Sequence, residues 1–195
     1  MTPGKASEIT ARRLSAPGEI ELAIPDCTKS LGNLIGSPDS TGLIAGVRVQ
    51  ALTLYPDDRG YFMEVNRMGK GLAADFPPAS TQTAAALSYA GTIKAFHFHK
   101  HQTDCWTPVK GLFQVVLADL RVGSATFGLR NTLYVGALRP WQILIPPGVA
   151  HGYKVIGKED ALLVYMTDRF YNPDDEGRIP YNDPGINYDW ETQHK

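Results

Sequence analysis

A series of short apolar segments, each ended by a glycine or proline turn, most constrains how this chain can fold. Between residues 80 and 170, segments rich in β-branched and aromatic residues follow one another at roughly ten-residue spacing. We predict strands at 80–90, 92–99, 111–121, 125–135, 141–146, 151–156 and 160–170. Because no long helical period separates these segments, a parallel α/β sheet is disfavoured and an all-β sandwich or barrel is indicated.

The chain before residue 80 is less regular. Residues 1–42 are rich in proline, glycine and serine, and are predicted to form an N-terminal extension or arm. A further strand is expected at 46–56, and one short helix within 66–76. We therefore expect one all-β domain over residues 43–195, with few short helices and a turn-rich C-terminal tail that packs across it.

The composition argues against several classes of protein. The length of 195 residues suits one domain, and a formal net charge of -1 gives no reason to expect a nucleic-acid partner or an anionic membrane surface. No run of about 18 apolar residues occurs, and the N-terminus lacks the apolar segment of a secretory signal. The two cysteines, Cys27 and Cys105, are too few for a disulfide framework and fit a reducing compartment. We expect a cytoplasmic protein that does not span a membrane.

The segment 91–111 holds three of the five histidines, of which His97 and His99 lie on alternate positions of a predicted strand. Side chains at alternate strand positions share a face, so these two imidazoles are expected to point the same way as Ile93 and Ala95. A convergent polar cluster is therefore predicted at this strand.

The spacing of His97, His99 and Asp104 between flanking glycines resembles the first motif of the cupin superfamily, with aspartate where glutamate is usual. The segment 145–152, which delivers His151, resembles the second motif. Cupins are double-sheet jelly rolls, so the resemblance implies a double-stranded β-helix barrel. One divalent transition metal can be held by His97, His99, Asp104 and His151. Barrel mouths also gather polar side chains for other purposes, so a site without metal is the other interpretation.

A more extensive resemblance, over residues 45–190, is to the dTDP-4-dehydrorhamnose 3,5-epimerase family, a branch of the cupin fold. The matching segments are 58–64 (DRGYFME), 94–98 (KAFHF), 124–128 (SATFG), 145–152 (IPPGVAHG), 163–165 (LVY), 170–173 (FYNP), 182–184 (NDP) and 189–190 (DW). The resemblance implies a cofactor-free isomerase of carbohydrate biosynthesis that acts on a nucleotide-linked keto sugar. It also implies a homodimer, because related epimerases pair and exchange N-terminal strands such as 46–56.

The same resemblance assigns roles to individual residues. His97 corresponds to the base that removes a proton beside the sugar ketone, and Tyr165 to the acid on the opposite face of the ring. The implied substrate-binding residues are Arg59, Gln82 and Lys94 at the nucleotide diphosphate, Tyr171 and His151 around the sugar, and Glu64 and His99 beside them.

The chain departs from the family pattern at three places. Asp104 stands near the position of a lysine that holds the ketone oxygen, and a carboxylate opposes a developing enolate unless it is protonated or metal-bound. Lys94 replaces a usual arginine, which keeps the charge and loses the bidentate fork. Family members supply the acid that orients the base from a longer tail; here either Asp183 takes that place or no residue does.

Three classes of function are therefore open. They are a cofactor-free nucleotide-sugar epimerase or isomerase, a metal-dependent cupin enzyme acting on a sugar or another small oxygenated substrate, and a cupin that binds sugar or serves as structure without chemistry. Asp104 favours the metal-dependent enzyme, because aspartate is a common metal ligand, whereas Tyr165 together with Tyr171 favours the epimerase. The presence of both His97 and Tyr165 disfavours the third class.

Overall fold

The structure, a computed structural model, describes residues 12–14 and 20–192. Its strands are short, and within these ranges a single turn of 3-10 helix, Gly71–Ala73, is the one helical element. The strands are β1 (Arg12–Arg13), β2 (Ala23–Ile24), β3 (Asn33–Leu34), β4 (Arg48–Ala51), β5 (Tyr55–Asp57), β6 (Gly60–Phe62), β7 (Gln82–Ser88), β8 (Ile93–His99), β9 (Asp104–Lys110), β10 (Leu112–Asp119), β11 (Arg130–Gly136), β12 (Trp141–Ile145), β13 (Val149–Ile156), β14 (Ala161–Thr167) and β15 (Glu176–Arg178).

Two sheets face each other. The six-stranded sheet has the order β15-β8-β13-β10-β11-β3 and the five-stranded sheet the order β4-β12-β9-β14-β7, while β1-β2 and β5-β6 form two-stranded ribbons. From β7 to β15 the chain changes sheet at every connection except β10–β11, and the described pairs are antiparallel apart from β11–β3. This is a jelly-roll arrangement, and the all-β prediction is confirmed.

Strand β10 shows why both faces of the six-stranded sheet are covered. Its alternate residues Phe113, Val115 and Leu117 enter the core between the two sheets. Val116 and Ala118 point to the opposite face and enter a second core. A strand buried on both faces reads as a continuous apolar run, which is the pattern of residues 115–118.

The second core is covered by chain from both ends of the sequence. Leu22 and Ile24 come from the N-terminal segment, and Tyr188 and Trp190 from the C-terminal tail. The domain boundary at residue 42 stays a prediction, although Leu22 and Ile24, which precede it, belong to the core on the six-stranded sheet.

The predicted strands between residues 80 and 170 correspond to β7, β8 and β10 to β14, whereas the strand expected at 46–56 is divided into β4 and β5. Residues 125–129, expected to begin a strand, form turns instead, and β11 starts at Arg130. Strand β9 was not predicted; it contains Pro108, which removes a backbone donor, and its pairing with β14 shifts register between Leu162 and Leu163. No helix of the described residues is long and apolar enough to cross a membrane.

Candidate active site

A cavity of about 740 Å³ lies between the two sheets. Side chains from β8, β13 and β15 of the six-stranded sheet line one side of it, and side chains from β7, β9 and β14 of the five-stranded sheet line the other. Such a cleft, with polar groups converging on a largely apolar wall, is the usual form of a small-molecule site.

An extra residue in β8 changes which side chains face this cavity. His97 is opposite His151 and Lys94 is opposite Tyr153, so three steps along β8 match two along β13. Residues opposite each other in a ladder share a face, so Lys94 lies on the same face as His97. The expectation that Ile93 and Ala95 share this face was wrong, because the irregularity reverses the alternation upstream of His97. Both side chains pack against the second core instead.

Gly152 makes this irregularity possible. A Cβ on Gly152 would lie 2.4 Å from the Cβ of Ala95 and 2.7 Å from the carbonyl oxygen of Lys94. Only glycine allows β13 and β8 to approach so closely, and this approach places His151 and His97 side by side.

Three imidazole rings gather at the inner end of the cavity. The ring centroids of His97 and His151 are 4.0 Å apart, and those of His97 and His99 are 5.5 Å apart. Burial, and then the neighbouring His151, hold the pKa of His97 well below its ordinary value. Burial likewise lowers the pKa of His99. Both rings are therefore neutral near pH 7, the form in which imidazole accepts a proton.

Asp104 lies beneath these rings and is 2% exposed. Its Oδ1 accepts a hydrogen bond from Nε2 of Gln102 (2.7 Å) and its Oδ2 one from Nε1 of Trp106 (3.0 Å). Nε2 of His151 is 3.4 Å from Oδ2. Burial alone raises the pKa of Asp104, but the hydrogen bonds and the nearby imidazoles outweigh it, and the pKa is lowered. The sequence analysis did not predict Gln102 and Trp106 as site residues. Both lie two positions from Asp104, so they would be expected on its face of the chain once β9 is recognised as a strand.

The turn between β8 and β9 is fixed from two sides. The carboxylate of Asp175 accepts hydrogen bonds from the backbone N–H groups of residues 100–102, at 2.8 to 3.1 Å. The backbone N–H of Gly148, from the second histidine motif, donates to the carbonyl oxygen of His99 (2.8 Å). The two motifs recognised in the sequence therefore meet through the backbone.

The predicted metal cluster is compact. One ligand atom from each of His97, His99, Asp104 and His151 lies within 4.8 Å of the others. The same side chains also form a hydrogen-bonded network, because Nε2 of Gln102 lies 3.2 Å from Nε2 of His99 while it donates to Asp104. The residues fit a divalent ion by donor type, although Gln102 already bonds Nε2 of His99 and Oδ1 of Asp104.

Tyr165 reaches the cavity from the other sheet. In the ladder between β14 and β9 it lies opposite Trp106, whose ring centroid is 6.1 Å from that of His97. Burial, and then the charge of Asp104, raise the pKa of Tyr165. The phenol is therefore protonated over the physiological range and can act as a proton donor.

Several predicted binding residues come together around the cavity. Gln82, Lys94, His99 and Tyr171 line it, and Oε1 of Gln82 accepts the backbone N–H of Tyr171 (3.3 Å). His151 is 2% exposed and lies behind His97 rather than on the cavity wall.

Arg59 and Glu64 do not reach this cavity within one chain. Arg59 lies at the β5–β6 turn, with 83% of its side chain exposed, and bonds to Asp57. Glu64 bonds to Arg67 and lines a second cavity of about 520 Å³ beside β4.

Asp183, the candidate orienting acid, is also outside the cavity. Its carboxylate accepts the backbone N–H of Gly185 (2.9 Å) and a hydrogen bond from Arg12. The suggestion that Asp183 orients the base was therefore wrong, because this carboxylate stabilises a turn of the tail.

Strand β15 adds two charged residues that the sequence did not reveal. Glu176 and Arg178 both line the cavity, and Nε of Arg178 donates to Oε1 of Glu176 (2.6 Å). They fall between the family-like segments 170–173 and 182–184, in a turn-rich stretch with no strand periodicity, so no sequence signal indicated them.

Comparison with known proteins defines the class as sugar-nucleotide isomerases of the jelly-roll type. The family model for dTDP-4-dehydrorhamnose 3,5-epimerase matches residues 42–195. The chain therefore belongs to the dTDP-4-dehydrorhamnose 3,5-epimerase family.

Individual relatives agree with this assignment. The spore coat polysaccharide biosynthesis protein SpsL of Bacillus subtilis is 44% identical over 155 residues, which cover 78% of this chain and 100% of SpsL. The crystal structure of the Elizabethkingia anophelis dTDP-4-dehydrorhamnose 3,5-epimerase has 29% identity and a TM-score of 0.64, over 84% of this chain and 88% of the other. ChmJ, a 3'-monoepimerase of Streptomyces bikiniensis in complex with dTDP-quinovose, has 26% identity and a TM-score of 0.68, over 78% of each chain.

These matches confirm the jelly-roll prediction and the assignment to the isomerases. Epimerases of this family act without a cofactor, so family membership favours the cofactor-free interpretation over the metal-dependent one. Two predictions, the homodimer and the cytoplasmic location, are not tested by the comparisons.

Proposed function

We propose that this chain epimerises a nucleotide-linked 4-keto-6-deoxy sugar, with His97 removing a proton from the sugar and Tyr165 returning one to it. The observation that supports this most directly is that the two side chains line one cavity from opposite sheets. A sugar ring held between the sheets exposes one face to each residue, as inversion of a carbon requires.

The chemistry follows from the states of the two groups. The C4 ketone acidifies the adjacent C–H bonds, and the neutral imidazole of His97 accepts the proton, which leaves an enolate. The phenol of Tyr165, which stays protonated because its pKa is raised, returns a proton from the other face and inverts the carbon. The chain thus supplies both base and acid.

The substrate class is inferred from relatives together with the cavity. ChmJ is described in complex with dTDP-quinovose, and the Legionella pneumophila enzyme in complex with dTDP-4-keto-L-rhamnose. Lys94 supplies positive charge to the cavity for a diphosphate, while Gln82 and Tyr171 offer hydrogen-bonding groups at the same cavity. We infer a dTDP-linked substrate with a hexose that enters between the sheets.

A homodimer is the second part of the proposal. The β5–β6 ribbon exposes Tyr55 and Phe62 at 60% and 68%, beside the edge strand β4. Exposed apolar side chains next to an open strand edge are typical of a surface that a second copy covers. Such pairing is how Arg59 and Glu64 can serve the partner's cavity. Light scattering should give about twice the 21.3 kDa chain mass, and a monomer at micromolar concentration would contradict the dimer.

We also infer a cytoplasmic location. Cys27 and Cys105 are both free thiols, as expected in a reducing compartment.

The proton-transfer proposal is tested by solvent exchange. The protein is incubated with dTDP-4-keto-6-deoxyglucose in deuterium oxide, and the C3 and C5 protons are followed by NMR. We expect exchange in the wild type, none in His97→Asn, and exchange without inversion in Tyr165→Phe. The absence of exchange with dTDP-, UDP- and GDP-linked keto sugars would refute the epimerase proposal.

Matched controls come from the same chain. His101 lies on the exposed turn after β8 and Tyr89 is 72% exposed, and neither lines the cavity. His101→Asn and Tyr89→Phe should therefore retain the wild-type exchange rate. A loss in these variants equal to that in the cavity variants would show that the assay reports stability rather than chemistry.

A further inference from the structure

The cavity has one chemical requirement that the assigned base and acid do not meet. Removal of a proton beside a ketone places negative charge on the ketone oxygen, and donors or cations near that oxygen usually provide a large share of catalysis. Asp104, which lines the cavity, is a buried carboxylate whose pKa is lowered, so it offers neither a donor nor a positive charge. A donor or a cation must therefore come from another residue of the cavity, and a cation meets the charge most directly.

Among the described residues that line the cavity, the permanently charged cations are Lys94 and Arg178. Lys94 lies three residues before His97 along β8, at the position assigned to the diphosphate. Arg178 lies on β15 directly opposite His97 in the antiparallel ladder. Opposite residues share a face and their Cβ atoms lie about 4.5–5.5 Å apart, so Arg178 is the cation adjacent to the base.

The position of β15 is set by a glycine between the two charged residues. Gly177 is opposite Phe98, and a Cβ there would lie 2.1 Å from the phenyl ring. The ring of Phe98 therefore packs directly against the β15 backbone on the outer face. Glu176 and Arg178, one step to either side, must point to the inner face with His99 and His97.

Glu176 gives the guanidinium a defined orientation. Its carboxylate is only 13% exposed and accepts the Nε–H of Arg178 at 2.6 Å. A guanidinium carries four further N–H donors on its two Nη atoms, in a planar fork suited to an anionic oxygen. The bond to Glu176 fixes the guanidinium at its Nε, and Arg178 lines the cavity, so the two Nη atoms are available to an anionic oxygen there.

We propose that Arg178 is a catalytic residue that stabilises the enolate oxygen. This rests on the proposed epimerase function. Glu176 is a positioning residue that aims the guanidinium.

The test separates an enolate role from a diphosphate role. Loss of one donor to a developing oxyanion typically lowers kcat by about 100- to 1,000-fold. We expect kcat for C3 and C5 exchange to fall about 100-fold in Arg178→Gln, with the Kd for dTDP measured by calorimetry unchanged. Arg178→Lys, which retains the charge without the fork, should recover part of the rate. Glu176→Gln should lower kcat by a smaller factor.

The matched control is Arg139→Gln, because Arg139 packs over Trp141 at the β11–β12 turn, outside the cavity.

Weaker dTDP binding with unchanged kcat in Arg178→Gln would overturn the proposal and assign Arg178 to the diphosphate. No change in either quantity would overturn it as well. If the wild type exchanges no proton with any nucleotide sugar, the epimerase proposal fails, and the role of Arg178 fails with it. Because the Arg178 side chain is 80% exposed, the substitutions leave the core intact, and circular dichroism checks that they do.

Discussion

The close approach of β13 and β8 at Gly152 leads to a quantitative prediction for Gly152→Ala. The added Cβ would lie 2.4 Å from the Cβ of Ala95 and 2.6 Å from its Cα, whereas ordinary carbon–carbon contacts are about 3.5–4.0 Å. The nearest atoms belong to backbone or to a Cβ, so no side-chain rotation relieves the contact. The two strands must therefore separate by about 1 Å or more.

This separation acts on stability and on chemistry together. Overpacking of this kind typically costs about 1–3 kcal/mol of unfolding free energy. Because His97 pairs with His151 one step from the contact, the base is displaced relative to the substrate, and a 1 Å displacement can lower the rate about 100-fold. Urea titration and the solvent-exchange assay measure the two effects.

The matched control is Gly36→Ala, because a Cβ at Gly36 meets no atom within 4 Å. This control should keep both the wild-type stability and the wild-type rate. If Gly152→Ala were as stable and as active as the wild type, the described pairing of β13 with β8 would be incorrect.

Two further predictions concern protonation and metal. Because the pKa of His97 is lowered, the base stays neutral as pH falls toward the ordinary imidazole pKa of about 6.5, and the exchange rate should decline only below that pH. Because the pKa of Tyr165 is raised, the acid stays protonated, and the exchange rate should be constant up to about pH 10. A pH–rate profile in which half of the activity is lost at pH 6.5 or above would contradict this. Dialysis against EDTA should leave the exchange rate unchanged, since epimerases of this family act without a cofactor and Gln102 already bonds Nε2 of His99 and Oδ1 of Asp104. A loss of activity that a divalent ion restores would support the metal-dependent alternative.

The sequence predicted most of the fold because this fold is built from regular alternation and turns. Strands such as β10 and β12 are apolar runs between glycine or proline turns, so their type and approximate limits follow from local chemistry. Strand β9 was not predicted because a proline such as Pro108 is unfavourable in a central strand. Pro108 is accommodated here because the pairing of β9 with β14 shifts register next to it. That accommodation is a property of two strands together and cannot be read from either one.

Site residues could be predicted where they belong to a recognisable motif. They could not be predicted where the packing of distant strands places them in the cavity. His97 and Tyr165 belong to segments that resemble a known family, and both line the cavity. Lys94 faces the cavity only because of the irregularity opposite Gly152, so simple alternation placed it on the wrong side. Arg178 lines the cavity because β15 pairs with β8, which places Gly177 opposite Phe98 and Arg178 opposite His97. This pairing joins residues far apart in the chain, and the sequence around Arg178 does not indicate it.

Asp104 links the departure from the family to the stability of the site, and its substitution is the last prediction. Its two oxygens accept hydrogen bonds from Gln102 and Trp106, and Nε2 of His151 lies 3.4 Å from Oδ2, so we expect the carboxylate to hold His151 and the neighbouring rings in place. Asp104→Asn retains the shape and one acceptor, and should cost about 1–3 kcal/mol of unfolding free energy. Asp104→Lys restores the family residue but buries an ammonium group among imidazoles and leaves two buried donors unpaired, so it should cost more than the asparagine variant, about 3–5 kcal/mol. Urea titration of both variants measures these costs, with Asp58→Lys as the control because the Asp58 side chain is 96% exposed. A stable and fully active Asp104→Lys would show that a lysine at this position can still reach the ketone oxygen, and that the carboxylate is not what organises the three rings.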